Sequence, residues 1–97
     1  MSKQRNIVAY PAIFEPSDVT KDRFTITFPD VPDAISQGDG FTQSLAMAAE
    51  VLELSLYDVD ELPEVSPLVD IEKPSDSSII LCISIDLERA AEDVLVP

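Results

Sequence analysis

Phe41-Thr42-Gln43-Ser44-Leu45-Ala46-Met47-Ala48-Ala49-Glu50-Val51-Leu52-Glu53-Leu54-Ser55-Leu56 is the stretch whose reading decides the fold. Phe41, Leu45, Ala48, Leu52 and Leu56 recur at spacings of four, three, four and four, which lays one apolar stripe along a helix. Met47, Val51 and Leu54 form a second row beside it, read as further core or as a subunit interface. Gly40 precedes the stripe as N-cap, and Gln43 three residues on resembles a weak capping box. Gln37-Gly38-Asp39-Gly40 has the look of a phosphate cradle but lacks its lysine and spacing, so it reads as a turn into the helix. The helix is expected to fade over Tyr57–Leu62, ahead of Pro63.

Upstream of the helix the period changes from 3.6 to 2. In Ile7–Phe14 both alternating sets are apolar, the pattern of a strand covered on both faces. Pro11 cannot donate to a ladder and points to an edge position or a bulge. Glu15-Pro16-Ser17-Asp18 ends this strand with turn chemistry. Arg23–Phe28 alternates cleanly, with Phe24, Ile26 and Phe28 on one face and Arg23, Thr25 and Thr27 on the other. Phe28-Pro29-Asp30-Val31-Pro32 is a stiff connection, because its two prolines fix φ and remove two donors. It sets strand register or forms a contact loop. Ala34–Gln37 reads as a short third strand.

Downstream, residues 57–76 form an acidic connector interrupted by Pro63, Pro67 and Pro74, a length that usually carries function or partial order. Ser78–Asp86 is a further strand, with Ile79, Leu81, Ile83 and Ile85 on one face and Ile80, Cys82 and Ser84 on the other. Leu87–Leu95 is expected to be a short terminal helix capped by Asp86. The expected fold class is therefore α+β, in the order β-β-β-α-β(-α): a small sheet with one main helix packed on it.

The 97 residues suffice for one domain. Six basic residues face 19 acidic ones, a net charge of −13. Four of the six (Lys3, Arg5, Lys21, Arg23) lie in the first 23 residues, so Lys73 and Arg89 alone offset the acids of the remainder. Such a surface repels phosphate and attracts basic proteins, so direct nucleic-acid binding is not expected. Acidity that merely aids solubility is the plainer alternative. Cys82, the single cysteine, lies in an apolar run and is expected to be buried. One cysteine makes no internal disulfide, in accord with a cytoplasmic location. No apolar run approaches the roughly 20 residues of a membrane span, and no signal-peptide h-region opens the chain.

The absence of histidine removes His-based acid–base chemistry, His metal sites and hydrolase triads. Carboxylates remain. Asp22, Asp30, Asp33, Asp39 and Glu50 lie nearest to element ends and are the candidates for a two-metal nuclease, which needs carboxylates converging on metals about 3.5–4 Å apart. No strand interior supplies a carboxylate to anchor such a site. The expectation is of no catalytic residue, no metal site and no cofactor.

Tyr10-Pro11-Ala12-Ile13-Phe14, Phe28-Pro29-Asp30-Val31-Pro32, Ser36-Gln37-Gly38-Asp39 and the helix from Phe41, in this order, resemble the N-terminal domain of HicB-type antitoxins. Leu62-Pro63 and the strand Ile79–Leu87 fit the same pattern, so the resemblance covers about residues 6–90. It implies a partial ribonuclease-H-like fold and a partner: a small basic ribonuclease toxin of HicA type, whose active and RNA-binding surface the antitoxin covers. Many members continue into a C-terminal DNA-binding domain. This chain ends at Pro97, where that domain would begin, so residues 1–97 are expected to form a single toxin-binding domain without it, either as a shortened chain or as a natural short form.

For the toxin contact the acids are the candidates: Asp30, Asp33 and Asp39 around the loop before the helix, and Asp58, Asp60, Glu61 and Glu64 after it. Complementary charge steers encounter, while buried apolar contacts carry affinity. Tyr10 and Phe14 are apolar anchors or core residues. A homodimer, or a hetero-oligomer with the toxin, is expected from the apolar excess of the helix and a possible edge strand. The alternatives are a metal-dependent nuclease on the same fold and an adaptor for another basic protein.

Overall fold

Five successive side chains, Tyr10 to Phe14, are buried in a computed structural model that describes residues 7–89, and the sheet is built around them. They belong to β1 (Ile7–Pro16), which is followed by β2 (Arg23–Thr27), β3 (Ile35–Asp39), α1 (Phe41–Leu56) and β4 (Ile79–Asp86), with one 3₁₀ turn at Leu68–Asp70. The four strands form one antiparallel sheet in the order β3-β2-β1-β4. This is an α+β fold with one main helix on the sheet, in the β-β-β-α-β order read from the sequence. The third strand begins one residue later than its pattern suggests and runs on through Gly38 to Asp39.

Register explains the two faces. Phe14 stands opposite both Ile26 and Ile79, and Tyr10 stands opposite Ile83, so these side chains share one face. Tyr10, Phe14, Ile26 and Ile83 meet Ala48, Leu52 and Leu56 of α1 in the core, joined by Phe28, Val31 and Ala34 from the loop after β2. Phe41 closes one end, its ring 5.3 Å from Phe14 and 5.8 Å from Phe24 in tilted and edge-on arrangements. In the second helical row Met47 and Val51 are half-buried, whereas Leu54 is exposed.

Two glycines set the junction between β3 and α1. Gly40 has φ +85° and ψ 156°, a conformation essentially reserved for glycine, and turns the chain from strand to helix. Gly38 lies where α1 comes closest to β3: a Cβ there would stand 2.6 Å from Ser44 Oγ and 2.7 Å from Ser44 Cα. Ser44 is fully buried, and its hydroxyl donates to the Gly40 carbonyl at 2.7 Å, so the polar atom is satisfied inside the helix. Gln43 does reach back, but its Oε1 accepts the Asp39 N–H rather than that of the N-cap residue.

One expectation is met locally and another needs correction. Pro11 lies in a strand that is central in the sheet order, but β2 pairs only with Ile13–Pro16, so at Pro11 β1 is bonded to β4 alone and has the open side of an edge position, with no bulge in its register against β4. Cys82 is exposed, not buried. It lies on the face opposite the helix, and the burial that holds for β1 on that face fails at the edge strand β4. At the chain's end, residues 87–89 begin a helix whose first N–H groups meet Asp86 Oδ1 at 3.0 and 3.4 Å. The remainder of the expected terminal helix lies outside the described residues.

Candidate functional site

The connector after α1 returns the chain to the far edge of the sheet, and two hydrogen-bonded contacts fasten it. The Tyr10 hydroxyl donates to the Pro63 carbonyl at 2.7 Å. Asp30 accepts from the Ser66 N–H at 2.8 Å through Oδ2 and from the Ser66 hydroxyl at 2.6 Å through Oδ1. The Asp30 loop is stiff enough to serve as an anchor: Val31 N–H bonds Phe28 O at 3.0 Å and Ala34 N–H bonds Val31 O at 2.9 Å.

These contacts bring together residues that the sequence separates. Ser66 ties the Asp30 loop to the connector that carries the later acids. Asp58, Asp60, Glu61 and Glu64 are all exposed, as is Asp33. Interleaved with the connector acids are exposed apolar side chains, Val59, Leu62, Val65, Leu68 and Val69. The connector therefore carries exposed apolar and acidic side chains interleaved along its length.

Asp39 stands apart, at the other end of β3, about 13 Å from Ile35 at the usual strand rise. Its carboxylate takes a hydrogen bond from Arg23 Nε at 2.9 Å and a longer one from Nη2 at 3.4 Å. That hydrogen bond, and then the guanidinium charge, hold the Asp39 carboxyl below its ordinary range. Tyr10 and Phe14 are core residues, 1% and 0% exposed. Burial first, then the nearby Asp30 charge, push the Tyr10 hydroxyl above its ordinary value of 10.0. The connector pins were missed in the sequence, because Tyr10–Pro63 and Asp30–Ser66 span 53 and 36 residues with no local pattern to mark them.

Among the described residues no three potential metal-ligating side chains converge, so Asp22, Asp30, Asp33, Asp39 and Glu50 do not assemble a carboxylate cluster. No described helix is long and apolar enough to cross a membrane. A shallow depression of about 520 Å³ lies at the β3 edge, lined by Thr25, Ile35, Ser36, Gln37 and Met47. It contains no titratable group.

Fold and surface together define a small α+β domain with an exposed connector of mixed apolar and acidic side chains. Among solved structures, the chain is similar to one in a toxin–antitoxin complex from Streptococcus pneumoniae, with a TM-score of 0.74 and 27% identity, over 86% of this chain and 71% of that one. No protein-family model matches the chain, and no curated protein does.

Proposed function

We propose that this chain is the antitoxin of a toxin–antitoxin pair, of HicB type, acting by contact and without chemistry of its own. The observation that carries the reading is the shared fold, at 27% identity over most of the chain, with a component of a toxin–antitoxin complex. The net charge of −13 adds support, since a toxin that cleaves RNA must present a basic surface to phosphate.

On this reading residues 1–97 act as a single toxin-binding unit in the cytoplasm, and the partner is a small basic ribonuclease of HicA type. The exposed acids Asp33, Asp58, Asp60, Glu61 and Glu64 steer the encounter, and the apolar side chains between the connector acids supply contact area. Asp30 and Tyr10 act one step back, by holding the connector in place. Asp39 contributes charge from the far end of β3, and Phe14 supports the surface from within the core. Neutralisation then follows from occlusion of the toxin's RNA-binding and active surface, in a hetero-oligomer of the two proteins.

The test is co-expression with the product of the adjacent small basic reading frame, followed by an RNA-cleavage assay. A salt-sensitive complex that silences cleavage is expected. If the neighbouring product is not a ribonuclease, or cleaves equally well with the chain present, the antitoxin reading fails and an adaptor for some other basic protein takes its place.

A further inference from the structure

Asp39-Gly40 is the one place in the chain where an aspartate is followed by glycine. The pairing has a chemical consequence. The amide nitrogen that follows an aspartate can close a five-membered ring on the side-chain carboxyl, and glycine, with no Cβ, leaves that nitrogen least hindered. Here the Gly40 nitrogen attacks Asp39 Cγ and an N–C bond forms. One carboxyl oxygen leaves as water, taking the amide proton and the carboxyl proton. Water then opens the cyclic imide at either carbonyl. Opening at the main-chain carbonyl of Asp39 routes the chain through Cβ and Cγ, giving isoaspartate with unchanged composition and a backbone one carbon longer.

Both reacting groups are engaged in the folded chain. The Gly40 N–H donates to the Asp22 carbonyl at 2.6 Å. The Asp39 carboxylate accepts from Arg23 Nε at 2.9 Å and from Nη2 at 3.4 Å. The Asp39 N–H is taken by Gln43 Oε1 at 2.6 Å, which fixes the backbone on the other side of the same residue. Arg23 stands directly opposite Asp39 in the β2–β3 ladder, and Asp22 precedes it with φ 64°, the one described non-glycine residue in the left-handed region. Adjacent residues at the start of β2 therefore occupy both the carboxyl and the amide. Arg23 also opposes the chemistry directly, because ring closure expels water from the protonated acid and a neighbouring guanidinium favours the charged form.

We propose that Asp39-Gly40 is the site of spontaneous isoaspartate formation in this chain, and that Arg23 is the positioning residue that suppresses it in the folded state. The damage would fall where the fold tolerates it least. Gly40 makes the turn from β3 into α1, and Gly38 and Ser44 meet at the closest approach of those two elements. An extra backbone carbon between them displaces the turn, and Arg23 loses the carboxylate it holds.

This inference does not rest on the antitoxin reading, and its test uses the chain alone. The full chain is incubated at mildly acidic pH, and its peptides are mapped by mass spectrometry with a fragmentation that distinguishes isoaspartate from aspartate. Isoaspartate at Asp39 should accumulate at least about tenfold faster in urea-unfolded chain than in folded chain, as expected where reaction requires local opening. Arg23→Gln should raise the folded rate about twofold or more, the scale of an exposed ion pair. The exposed Asp76-Ser77 bond serves as internal reference and should react alike in both proteins. Arg23→Lys, which keeps a charge without the guanidinium fork, should also react faster than wild type, and it replaces Arg23→Gln if that variant does not fold. Tyr10→Phe, which loosens the connector and not this junction, should leave the Asp39 rate near that of wild type. Equal rates in folded and unfolded wild type, no isoaspartate at Asp39 in either, folded Arg23 variants that match wild type, or a comparable rise in Tyr10→Phe each overturns the proposal.

Discussion

Tyr10 and Pro63 are joined by a 2.7 Å hydrogen bond between a buried hydroxyl at the middle of the sheet and a backbone carbonyl of the connector. One side chain thus serves both as core and as clasp: its ring fills the space under α1, and its oxygen fixes the acidic connector. Tyr10→Phe separates the two roles, keeping the ring and removing the bond. Stability should fall by about 1 kcal/mol, the net worth of an ordinary hydrogen bond. The Ser66 N–H, which is held by Asp30 a few residues along, should exchange with solvent faster while the amides of β1 and β2 lose no more protection than the global change requires. Equal protection of Ser66 in both proteins would show that the Asp30 contact alone holds the connector.

The same hydroxyl predicts an alkaline weakness. Its folded pKa lies above the 10.0 of the unfolded chain, with burial the larger cause and Asp30 the smaller. Above pH 10 the folded protein therefore binds more protons than the unfolded one, and stability falls as pH rises. The contribution is complete below about pH 10 and is lost as pH climbs through the folded value. Unfolding measured at several pH values across this window should show a downward slope that Tyr10→Phe reduces. An identical slope in the variant would assign the effect to other groups.

How much of this was legible in the sequence depends on range. The stripe from Phe41 to Leu56 and the alternation in Arg23–Phe28 are local, and they gave the helix and β2 nearly to the residue. The faces of β4 were also readable, but not their burial: alternation assigns Cys82 to the side away from Ile83, and only the position of β4 at the sheet's edge exposes it. Ser44 hides in the stripe as a small polar residue, and its place becomes intelligible only when Gly38 is seen beneath it. Of the candidate surface, the acids were visible as composition. The pins that join Asp30 to the connector were not, since side-chain bonds across dozens of residues leave no period.

Gly38 and Gly40, two residues apart, should fail for different reasons when changed to alanine. At Gly40 nothing lies within 4 Å of the added carbon, so the cost is the backbone torsion alone, about 1–3 kcal/mol. At Gly38 the backbone is not of the left-handed kind, and the cost comes from forcing α1 off β3, again about 1–3 kcal/mol for an overpacked contact. Adding Ser44→Ala should not rescue Gly38→Ala, because Ser44 Cα at 2.7 Å and N at 2.9 Å remain in the way. Chemical denaturation of the two single variants and the double variant reads this directly. Full rescue would mean that the hydroxyl is the whole obstacle.

The acids should likewise divide by circumstance rather than by number. Asp39 is engaged by Arg23, and both are partly exposed, so replacing it removes a local ion pair along with one charge of the surface. Asp58, Asp60, Glu61 and Glu64 are exposed close together in sequence on a fastened segment, between apolar side chains. Reversing these four to lysine should slow association with a basic partner by about tenfold or more at low ionic strength, because steering of this kind acts on the encounter. Dissociation should change less. The difference should shrink as salt rises and the screening length falls from about 10 Å at 0.1 M to about 3 Å at 1 M. Asp39→Asn should have a markedly weaker effect on the same rate. Stopped-flow association across a salt series distinguishes the cases: a loss that persists unchanged at high salt, or that appears only in dissociation, would mean that the four acids act through direct contact and that the field of the connector does not guide the partner.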